Sequence, residues 1–296
     1  MRTERANAKI NLYLDVVGRR ENGYHDLVSI MQTVSLCDLV TVDFMPSNHT
    51  SIHLEASGGG TMPTDCRNLA WRAAERYLGR IQRQGEVRIF LEKHIPMAAG
   101  LAGGSADAAA VLRALNRLCG TPLSTEDLCV LGATLGADIP FCITGGSALV
   151  TGIGDGLCAI DLMPTVPLVV ACMGEGVSTP WAYGKLDEIY GDFSLKNAKN
   201  DAYLPILDAM RMGNVEAMCR GFFNSFEEVV PSVQPYVHKL KSVMEEGGAI
   251  RAMMSGSGPS VFGVFPDDET ATAVCETLRA LGAAAFVCYP RAKYPE

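Results

Sequence analysis

Apolar and polar residues alternate near the start of the chain, with the period of a β-strand that buries one face. Apolar side chains occupy every second position from Ile10 to Val16, and Lys9 and Asn11 project together from the opposite face. A polar face of this kind fits a solvated surface as well as a functional site, so the pattern leaves both interpretations open. The next residues, 18–25, are rich in glycine and charge and predict a loop.

Helix-start signals and helical periodicity divide much of the remaining chain. Asp65 is placed to cap a helix that runs to about Leu78, and Ser124 with Asp127 forms the pattern of a capping box. Helices are predicted over 65–78, 108–119, 124–135, 180–190, 201–212, 214–229, 232–246 and 268–281.

Strand-like segments fill most of the intervals between these helices. Gly136 ends the helix after the capping box, which puts Asp138 in a turn before a strand-like segment at 141–143. The other strands are predicted over 28–44, 50–55, 87–93, 147–151, 168–172, 250–254, 260–265 and 284–289.

This mixture of strands and helices indicates an α+β protein with two domains. Pro164 and Pro167 mark the predicted boundary, which gives an N-terminal domain over 1–163 and a C-terminal domain over 164–296. The pattern of the second half predicts a compact sheet covered by helices.

Composition and charge narrow the class of partner. The 296 residues are 48% hydrophobic and 20% charged, which is typical of a globular protein and excludes disordered or collagen-like chains. The formal net charge is −8, with no block of like charge. Binding to a nucleic-acid polymer needs a concentrated basic face, so we expect any anionic ligand to be small.

The cysteines, histidines and N-terminus add three expected absences. The ten cysteines include no C-x-x-C pair and lie mostly in apolar surroundings, which predicts reduced core thiols. The five histidines are not at metal-ligand spacing, so no structural metal is expected. The chain shows neither a secretory signal nor a membrane span, which indicates a cytoplasmic protein.

The segment from Pro96 to Ala108 is the most informative part of the chain. Gly100, Gly103 and Gly104 allow the backbone to approach a ligand, and the helix that follows offers unpaired N–H groups and a positive dipole end. Together these predict a site for nucleotide phosphates. The segment matches neither a Walker A loop nor G-x-G-x-x-G, and a loop that only packs a helix on a sheet is the alternative.

Phosphoryl transfer also requires a positive charge near the transferred group and a residue that orients or deprotonates the acceptor. Lys9 and Asp138 are candidates for these roles, although each alone fits an ordinary surface charge.

Three separated segments resemble the three motifs of the GHMP small-molecule kinases, and the match follows the whole chain in order. Residues 8–27 and 136–141 are similar to the members that phosphorylate a cytidine diphosphate-linked methylerythritol in the non-mevalonate route to isoprenoid precursors. The three motifs are Lys9–Leu12 with Gly23–His25, the loop Gly100–Ser105, and the turn Ser255–Pro259.

The resemblance implies an N-terminal domain like ribosomal protein S5 domain 2, a ferredoxin-like C-terminal domain, and an active site in the cleft between them. Ala98, Ala99 and Ala102 stand where some relatives have glycine, which restricts the loop but removes no polar group. The implied ATP contacts are Asn68, Lys93, Pro96, Met97, Ala98, Ala99, Gly100, Leu101, Ala102, Gly103, Gly104, Ser105 and Ala106.

The resemblance also implies catalytic roles. Asp138 would accept the proton of the acceptor's 2-hydroxyl or hold it in line with the γ-phosphorus. Lys9 would keep Asp138 ionised and balance charge on the transferred phosphoryl group, and Asn11 would position the methylerythritol hydroxyls. The third motif comprises Ser255, Gly256, Ser257 and Gly258. The resemblance implies that it lies near the glycine-rich loop, and a plain tight turn between two strands is the alternative.

The same resemblance implies a site for cytosine. Tyr24 and His25 correspond to residues of which one stacks on the base and the other forms a hydrogen bond with it. Tyr183 is the candidate for the opposite face of the base, with Trp181 as the alternative.

The implied co-substrate is ATP with Mg²⁺, and no dedicated protein cage for the ion is expected, since no acidic residue stands out as its ligand. We expect a monomer or weak homodimer that binds neither nucleic acid nor membrane. The alternatives are a GHMP kinase for homoserine or a mevalonate-type acceptor, which would lack the cytosine site, and a catalytically silent regulator, which would have lost the charged pair or the loop.

Overall fold

The alternating segment at the start of the chain forms one long strand, as predicted. Ile10 and the other apolar positions of the alternation are at most 5% exposed. The opposite face is covered as well, and Lys9 and Asn11 are buried, so the solvated-face interpretation of these two residues is wrong. The structure is a computed structural model and describes residues 1–58, 60–191, 193 and 201–295.

The predicted strands are present except for the segment 141–143, together with two short strands that the sequence pattern did not indicate, β6 and β8. The strands are β1 (Arg2–Arg19), β2 (His25–Pro46), β3 (Ser51–Gly58), β4 (Gly85–Lys93), β5 (Ser147–Thr151), β6 (Gly156–Ala159), β7 (Leu168–Cys172), β8 (Phe223–Asn224), β9 (Arg251–Met254), β10 (Val261–Val264) and β11 (Ala284–Cys288).

A helix occurs in every predicted interval, with bounds that differ by a few residues except in the interval 214–229. The helices are α1 (Leu69–Arg80), α2 (Gly103–Leu118), α3 (Thr125–Ala133), α4 (Ile139–Thr144), α5 (Thr179–Tyr190), α6 (Leu204–Arg211), α7 (Val215–Arg220), α8 (Tyr236–Glu246) and α9 (Asp268–Ala280).

Two β-sheets organise these elements. The first runs in the order β3-β4-β2-β1-β8, and β5 pairs with both β2 and β6. The second is antiparallel and runs in the order β11-β7-β10-β9. With helices between β7 and β9 and between β10 and β11, this second unit has the β-α-β-β-α-β succession of a ferredoxin-like domain, as expected.

Three hydrophobic clusters hold the layers together. One lies between the first sheet and helices α1 to α4, and another lies on the outer face of the second sheet against α5, α8 and α9. The third joins the sheets, where Ile10 and Leu12 share a cluster with Leu168 and Phe262. Because β8 from the second half pairs with β1, the halves also share a sheet.

Three local predictions are wrong, each for a reason visible in the backbone. Asn68 rather than Asp65 caps α1, since its Oδ1 accepts from the amide of Ala70 at 2.9 Å. The segment 141–143 lies in helix α4, because Asp138 and Pro140 are compatible with a helix start. The predicted helix over 214–229 ends at residue 220, and a short strand and a 3₁₀ turn follow.

The capping box at Ser124 and Asp127 is confirmed, with both reciprocal hydrogen bonds present. All ten cysteines are free thiols, and five of them are buried. In the described ranges, no helix combines the length and apolar character needed to cross a membrane. The domain boundary after residue 163 stays a prediction.

Candidate active site

A cleft of about 980 Å³ opens where the two halves meet. It is lined by strand β1, the turn before β2, the loop before α2, the start of α4, helix α5 and the turn after β9. Predicted site residues on its wall are Lys9, Asn11, Tyr24, His25, Asn68, Lys93, Pro96, Met97, Ala98, Ala99, Gly100, Ala102, Gly103, Gly104, Ser105, Asp138, Tyr183, Gly256 and Ser257.

Four predicted residues do not line this cleft. Leu101 and Ala106 are buried in hydrophobic clusters, where their side chains fix the loop and helix α2 to the sheets. Ser255 and Gly258 belong to the turn after β9, and both are buried. These four residues support the cleft from behind.

The loop over residues 96–106, hereafter the phosphate loop, leads directly into helix α2. Ala102 occupies the N-cap position in the left-handed region, with φ of +57°, and no side chain caps the helix. The first N–H groups of α2, at Gly103, Gly104 and Ser105, therefore keep their hydrogen-bonding capacity for a ligand. This arrangement at the cleft wall is suited to phosphate oxygens.

The third motif packs against the phosphate loop through the backbone. The Ser255 hydroxyl donates to the Gly100 carbonyl at 3.2 Å, and the amide of Ser260 donates to the Ala99 carbonyl at 3.3 Å. Gly100 has φ of +77°, and a Cβ there would lie 2.2 Å from the Ser255 carbonyl oxygen. The third motif is therefore a supporting surface for the loop rather than an isolated tight turn.

Lys93, expected at the nucleotide, is enclosed by two buried carboxylates. Its Nζ donates to Asp38 on β2 and, at 2.5 Å, to Asp107 on α2. Asp38 also accepts from the amide of Ile95 at 2.8 Å. The ammonium group of Lys93 thus joins β2, β4 and α2 beneath the phosphate loop, and its direct contacts are with protein carboxylates.

This buried cluster holds two carboxylates and one ammonium group, so its charges do not balance. Burial raises the pKa of Asp107 to about 7, and the charge of Asp38 adds to this shift while that of Lys93 opposes it. The second oxygen of Asp107, Oδ1, is buried without a hydrogen-bond partner among the described residues.

Asp107→Asn is expected to stabilise the protein more at pH 8 than at pH 5. An acid with a raised pKa weakens the folded state as pH rises from 3.8, its ordinary value, to about 7, because its charged form is disfavoured there. Asparagine keeps an acceptor for Lys93 but cannot ionise. Urea unfolding measures the free energy of unfolding of both proteins. The variant's advantage over wild type should be larger at pH 8 than at pH 5 by on the order of 1 kcal/mol or more.

The matched control for this prediction is Asp65→Asn. Asp65 is exposed, and its hydrogen bonds with Arg67 lower its pKa to about 2, so it does not titrate between pH 5 and pH 8. If the free energies of unfolding of Asp107→Asn and wild type differed by the same amount at both pH values, the raised pKa assigned to Asp107 would be contradicted.

Lys9 and Asp138 face the same cleft, but no ion pair joins them among the described residues. The Nζ of Lys9 donates to Asn11 Oδ1 at 2.7 Å and lies beside the third motif, where a Cβ on Gly256 would be 3.5 Å away. Asp138 is half-buried at the start of α4 and accepts no capping bond. Register shifts in β1 on either side of Lys9 and Asn11 set where these side chains point.

The nitrogen of its side-chain amide fixes Asn11 in turn. Its Nδ2 donates to the Ser29 hydroxyl at 2.8 Å, and that hydroxyl donates to the Tyr13 carbonyl at 2.7 Å. This chain holds both Asn11 and the Lys9 ammonium in place before any ligand binds.

At the opposite end of the cleft, His25 is held by a carboxylate that the sequence analysis missed. Its Nε2 lies 2.7 Å from Asp187 Oδ1, and the other oxygen of Asp187 lies 3.4 Å from an Arg19 nitrogen. A carboxylate only accepts hydrogen bonds, so Nε2 carries the proton. In the neutral ring Nδ1 is then an acceptor, and it has no hydrogen-bond partner among the described residues.

Tyr183 stacks on His25, with ring centroids 4.5 Å apart and an angle of 17° between the planes. This separation is direct ring contact, so no base fits between these two residues. Burial and the nearby charge of Asp138 raise the pKa of Tyr183 to about 12. Trp181 does not line the cleft and packs in the cluster on the second sheet, whereas Tyr24 is 60% exposed at the cleft edge.

Asn68, predicted to contact ATP, reaches the cleft wall with both ends of its amide engaged. Oδ1 caps α1, and Nδ2 donates to the Pro63 carbonyl at 2.8 Å.

No local pattern could have identified Asp38, Asp107 or Asp187, because their partners lie 55, 14 and 162 residues away in the chain.

Comparisons with known proteins agree with this architecture. The family model "GHMP kinases N terminal domain" matches residues 68–146, and "GHMP kinases C terminal" matches residues 206–284. A 4-diphosphocytidyl-2-C-methyl-D-erythritol kinase of Lachnospira eligens is 39% identical over 95% of this chain and 94% of its own. The kinase of the same name from Bacillus velezensis is 40% identical over 93% of this chain and 92% of its own.

A solved structure extends the likeness to three dimensions. The crystal structure of 4-(cytidine 5'-diphospho)-2C-methyl-D-erythritol kinase superimposes with a TM-score of 0.80, at 34% identity and covering 98% of this chain and 99% of that one. Both halves of the chain and the cleft between them are included in this match. The chain therefore belongs to the 4-diphosphocytidyl-2-C-methyl-D-erythritol kinase family, within the GHMP kinases.

Proposed function

We propose that this protein transfers the γ-phosphoryl group of ATP to the 2-hydroxyl of 4-diphosphocytidyl-2-C-methyl-D-erythritol, in the non-mevalonate route to isoprenoid precursors. The observation that carries the proposal is a single cleft lined by an uncapped helix start, by Lys9 and Asp138, and by an exposed tyrosine with a fixed histidine. The helix start suits the phosphates of ATP, and Lys9 and Asp138 suit the phosphoryl group that is transferred. The tyrosine and the histidine suit a nucleotide base.

In this proposal Asp138 acts on the acceptor hydroxyl. Its carboxylate takes the proton as the oxygen attacks the γ-phosphorus, or it holds the hydroxyl in line for that attack. The bond from the γ-phosphorus to the bridging oxygen breaks, and ADP leaves. A carboxylate without a capping or ion-pair partner among the described residues is free to take this part.

Lys9 supplies positive charge at the transferred group. Its hydrogen bond goes to a neutral amide, so its charge is not cancelled by a carboxylate among the described residues. A buried cation in fixed geometry stabilises charge that develops on the phosphoryl oxygens. Asn11 holds this ammonium group at the cleft wall, and in this proposal it helps to position the hydroxyls of the methylerythritol.

Mg²⁺ is proposed as the ion that accompanies ATP. The described residues include no cluster of three metal-ligating side chains, so a site made by protein alone is not expected. The Ser105 hydroxyl and the unpartnered Asp107 Oδ1 fit an ion that keeps phosphate and water as its other ligands. The ion would neutralise charge on the β- and γ-phosphates.

For the base, we assign stacking to Tyr24 and hydrogen bonding to His25. The faces of the His25 ring are not both open, because Tyr183 stacks on one of them, whereas Tyr24 is exposed. Tyr183 supports His25 in this assignment, which replaces the expectation that Tyr183 contacts the far face of the base. An Nδ1 acceptor on His25 matches the amino donor of cytosine and opposes the carbonyl of uracil.

Asp187→Ala is expected to reduce selectivity for cytosine over uracil by about tenfold or more. Without Asp187 the proton of His25 can move to Nδ1, where it would suit the uracil carbonyl. The ratio of kcat/KM for cytidine- and uridine-linked acceptors measures this selectivity. The control is Glu188→Ala, one residue away, whose carboxylate pairs with Lys185 at 2.7 Å; equal ratios in Asp187→Ala and wild type would contradict the assignment.

A coupled assay of ADP release tests the function itself. We expect turnover with the cytidine diphosphate-linked methylerythritol and none with homoserine or mevalonate. Turnover with one of those two acceptors alone would contradict the proposed substrate. Purified protein with no turnover on any acceptor, but with measurable ATP binding, would support the silent regulator instead.

A further inference from the structure

Arg113 of helix α2 contacts, behind the cleft, the two elements that carry Lys9 and Asp138. One terminal nitrogen of its guanidinium group donates to the Cys142 carbonyl at 2.7 Å. The other donates to the Arg5 carbonyl at 2.9 Å. The side chain is 5% exposed, so it makes these bonds inside the protein.

Both carbonyls belong to the elements that carry the two residues in the cleft. Cys142 lies in the first turn of α4, and its amide donates to the Asp138 carbonyl at 3.0 Å. Arg5 lies in β1, four residues before Lys9. A guanidinium group is planar and presents its donors in a fixed fork, so two such bonds fix the separation of their acceptors.

The charges near Cys142 agree with this arrangement. Burial raises the pKa of the Cys142 thiol, the charge of Asp138 raises it further, and the charges of Lys9 and Arg113 lower it. The charges of Asp138, Lys9 and Arg113 are therefore all close enough to act on this one buried thiol.

The end of the chain holds the guanidinium group from the other side. The ring of Tyr294 lies over Arg113, with its centroid 3.7 Å from Cζ. The Tyr294 hydroxyl donates to Asn7 Oδ1 at 2.9 Å, and the Tyr294 amide donates to the Thr144 carbonyl at 3.0 Å. Tyr294 thus contacts β1 and the end of α4, the same two elements that Arg113 joins.

We propose that Arg113 is a positioning residue for phosphoryl transfer: it fixes β1 against α4, and hence Lys9 relative to Asp138, while Tyr294 holds its guanidinium group in place. The proposal rests on the proposed function. It differs from a purely structural role because a misplaced catalytic pair lowers the rate of transfer without weakening ligand binding.

The test compares Arg113→Lys and Tyr294→Leu with wild type. A lysine cannot bond both carbonyls in a fixed fork, and a leucine removes the ring that covers the guanidinium group. In each variant we expect kcat to fall by about tenfold or more, with both KM values changed by less than about threefold. Tyr294→Phe keeps the ring and should recover most of the kcat lost in Tyr294→Leu.

Arg117→Met is the matched control, since Arg117 lies one turn further along α2 and contacts Glu4 and the Pro295 carbonyl but not α4. Thermal unfolding at each assay condition shows that the variants are folded. Wild-type kcat in folded Arg113→Lys and Tyr294→Leu would overturn the proposal, as would a kcat that falls only in step with the folded fraction.

Hydrogen exchange separates this proposal from the function on which it rests. Arg113→Lys should speed amide exchange in peptides covering 3–9 and 138–144, and leave the strands of the second sheet unchanged. Unchanged exchange in both peptides would overturn the positioning role, whatever the acceptor. Wild-type protein that does not turn over the acceptor would contradict the proposed function alone.

Discussion

Asp138→Asn is expected to lower kcat by a factor of at least about 10², with both KM values within a few fold of wild type. Asparagine has the shape of aspartate, but it cannot accept a proton, and it carries no charge to orient the acceptor hydroxyl. The carboxylate lies at the start of α4 on the cleft wall, where the change leaves the buried face of that helix intact. A coupled assay of ADP release with saturating ATP and acceptor gives the measurement.

Both roles left open for Asp138, as a base and as an orienting group, need its carboxylate, so the fall in kcat is expected from either role. A folded variant with near-native kcat at every pH would refute any catalytic role.

Gly100→Ala is expected to raise the KM for ATP by about tenfold or more. The φ of +77° strains any residue with a Cβ, and that Cβ would lie 2.2 Å from the Ser255 carbonyl oxygen. The Cβ would meet backbone, which cannot rotate away as a side chain can, so the phosphate loop must shift. Its N–H groups would then no longer converge on one anion. Steady-state kinetics with varied ATP and isothermal titration with a nonhydrolysable analogue measure the effect.

Gly79→Ala is the matched control for this substitution. Gly79 lies in α1, a Cβ there would meet no atom within 4 Å, and its φ is not in the left-handed region. Alanine is the better helix former, so this variant should keep its kinetics and unfold at a slightly higher temperature. An ATP affinity in Gly100→Ala equal to that of wild type would show that the loop tolerates the shift.

Elements marked by hydrophobic periodicity or by a helix cap could be predicted from the sequence, because these signals depend only on residues close together in the chain. The alternation from Ile10 to Val16 gives β1, and the capping box at Ser124 gives the start of α3. The sequence pattern could not decide the start of α1, where two residues were candidates for the N-cap. Asp65 and Asn68 can both cap a helix, and the outcome depends on Asn68 also reaching the Pro63 carbonyl.

Contacts distant in the chain could not be predicted, and they decide most of the site. Whether Lys9 faces solvent or a cleft depends on what covers the sheet, which strand periodicity does not contain. The carboxylate that holds His25 lies 162 residues away, and Asn7 meets Tyr294 across 287 residues. Most of the residues that the family resemblance implied line the cleft. The resemblance did not show that Lys93 bonds to Asp38 and Asp107.

The backbone contact between the phosphate loop and the turn after β9 also limits how the cleft can open. The loop comes from one half of the chain and the turn from the other, and Gly100 leaves no space between them. A hinge cannot lie at this joint without breaking the bond from Ser255 to Gly100. We therefore expect the ATP end of the cleft to stay rigid when the acceptor enters.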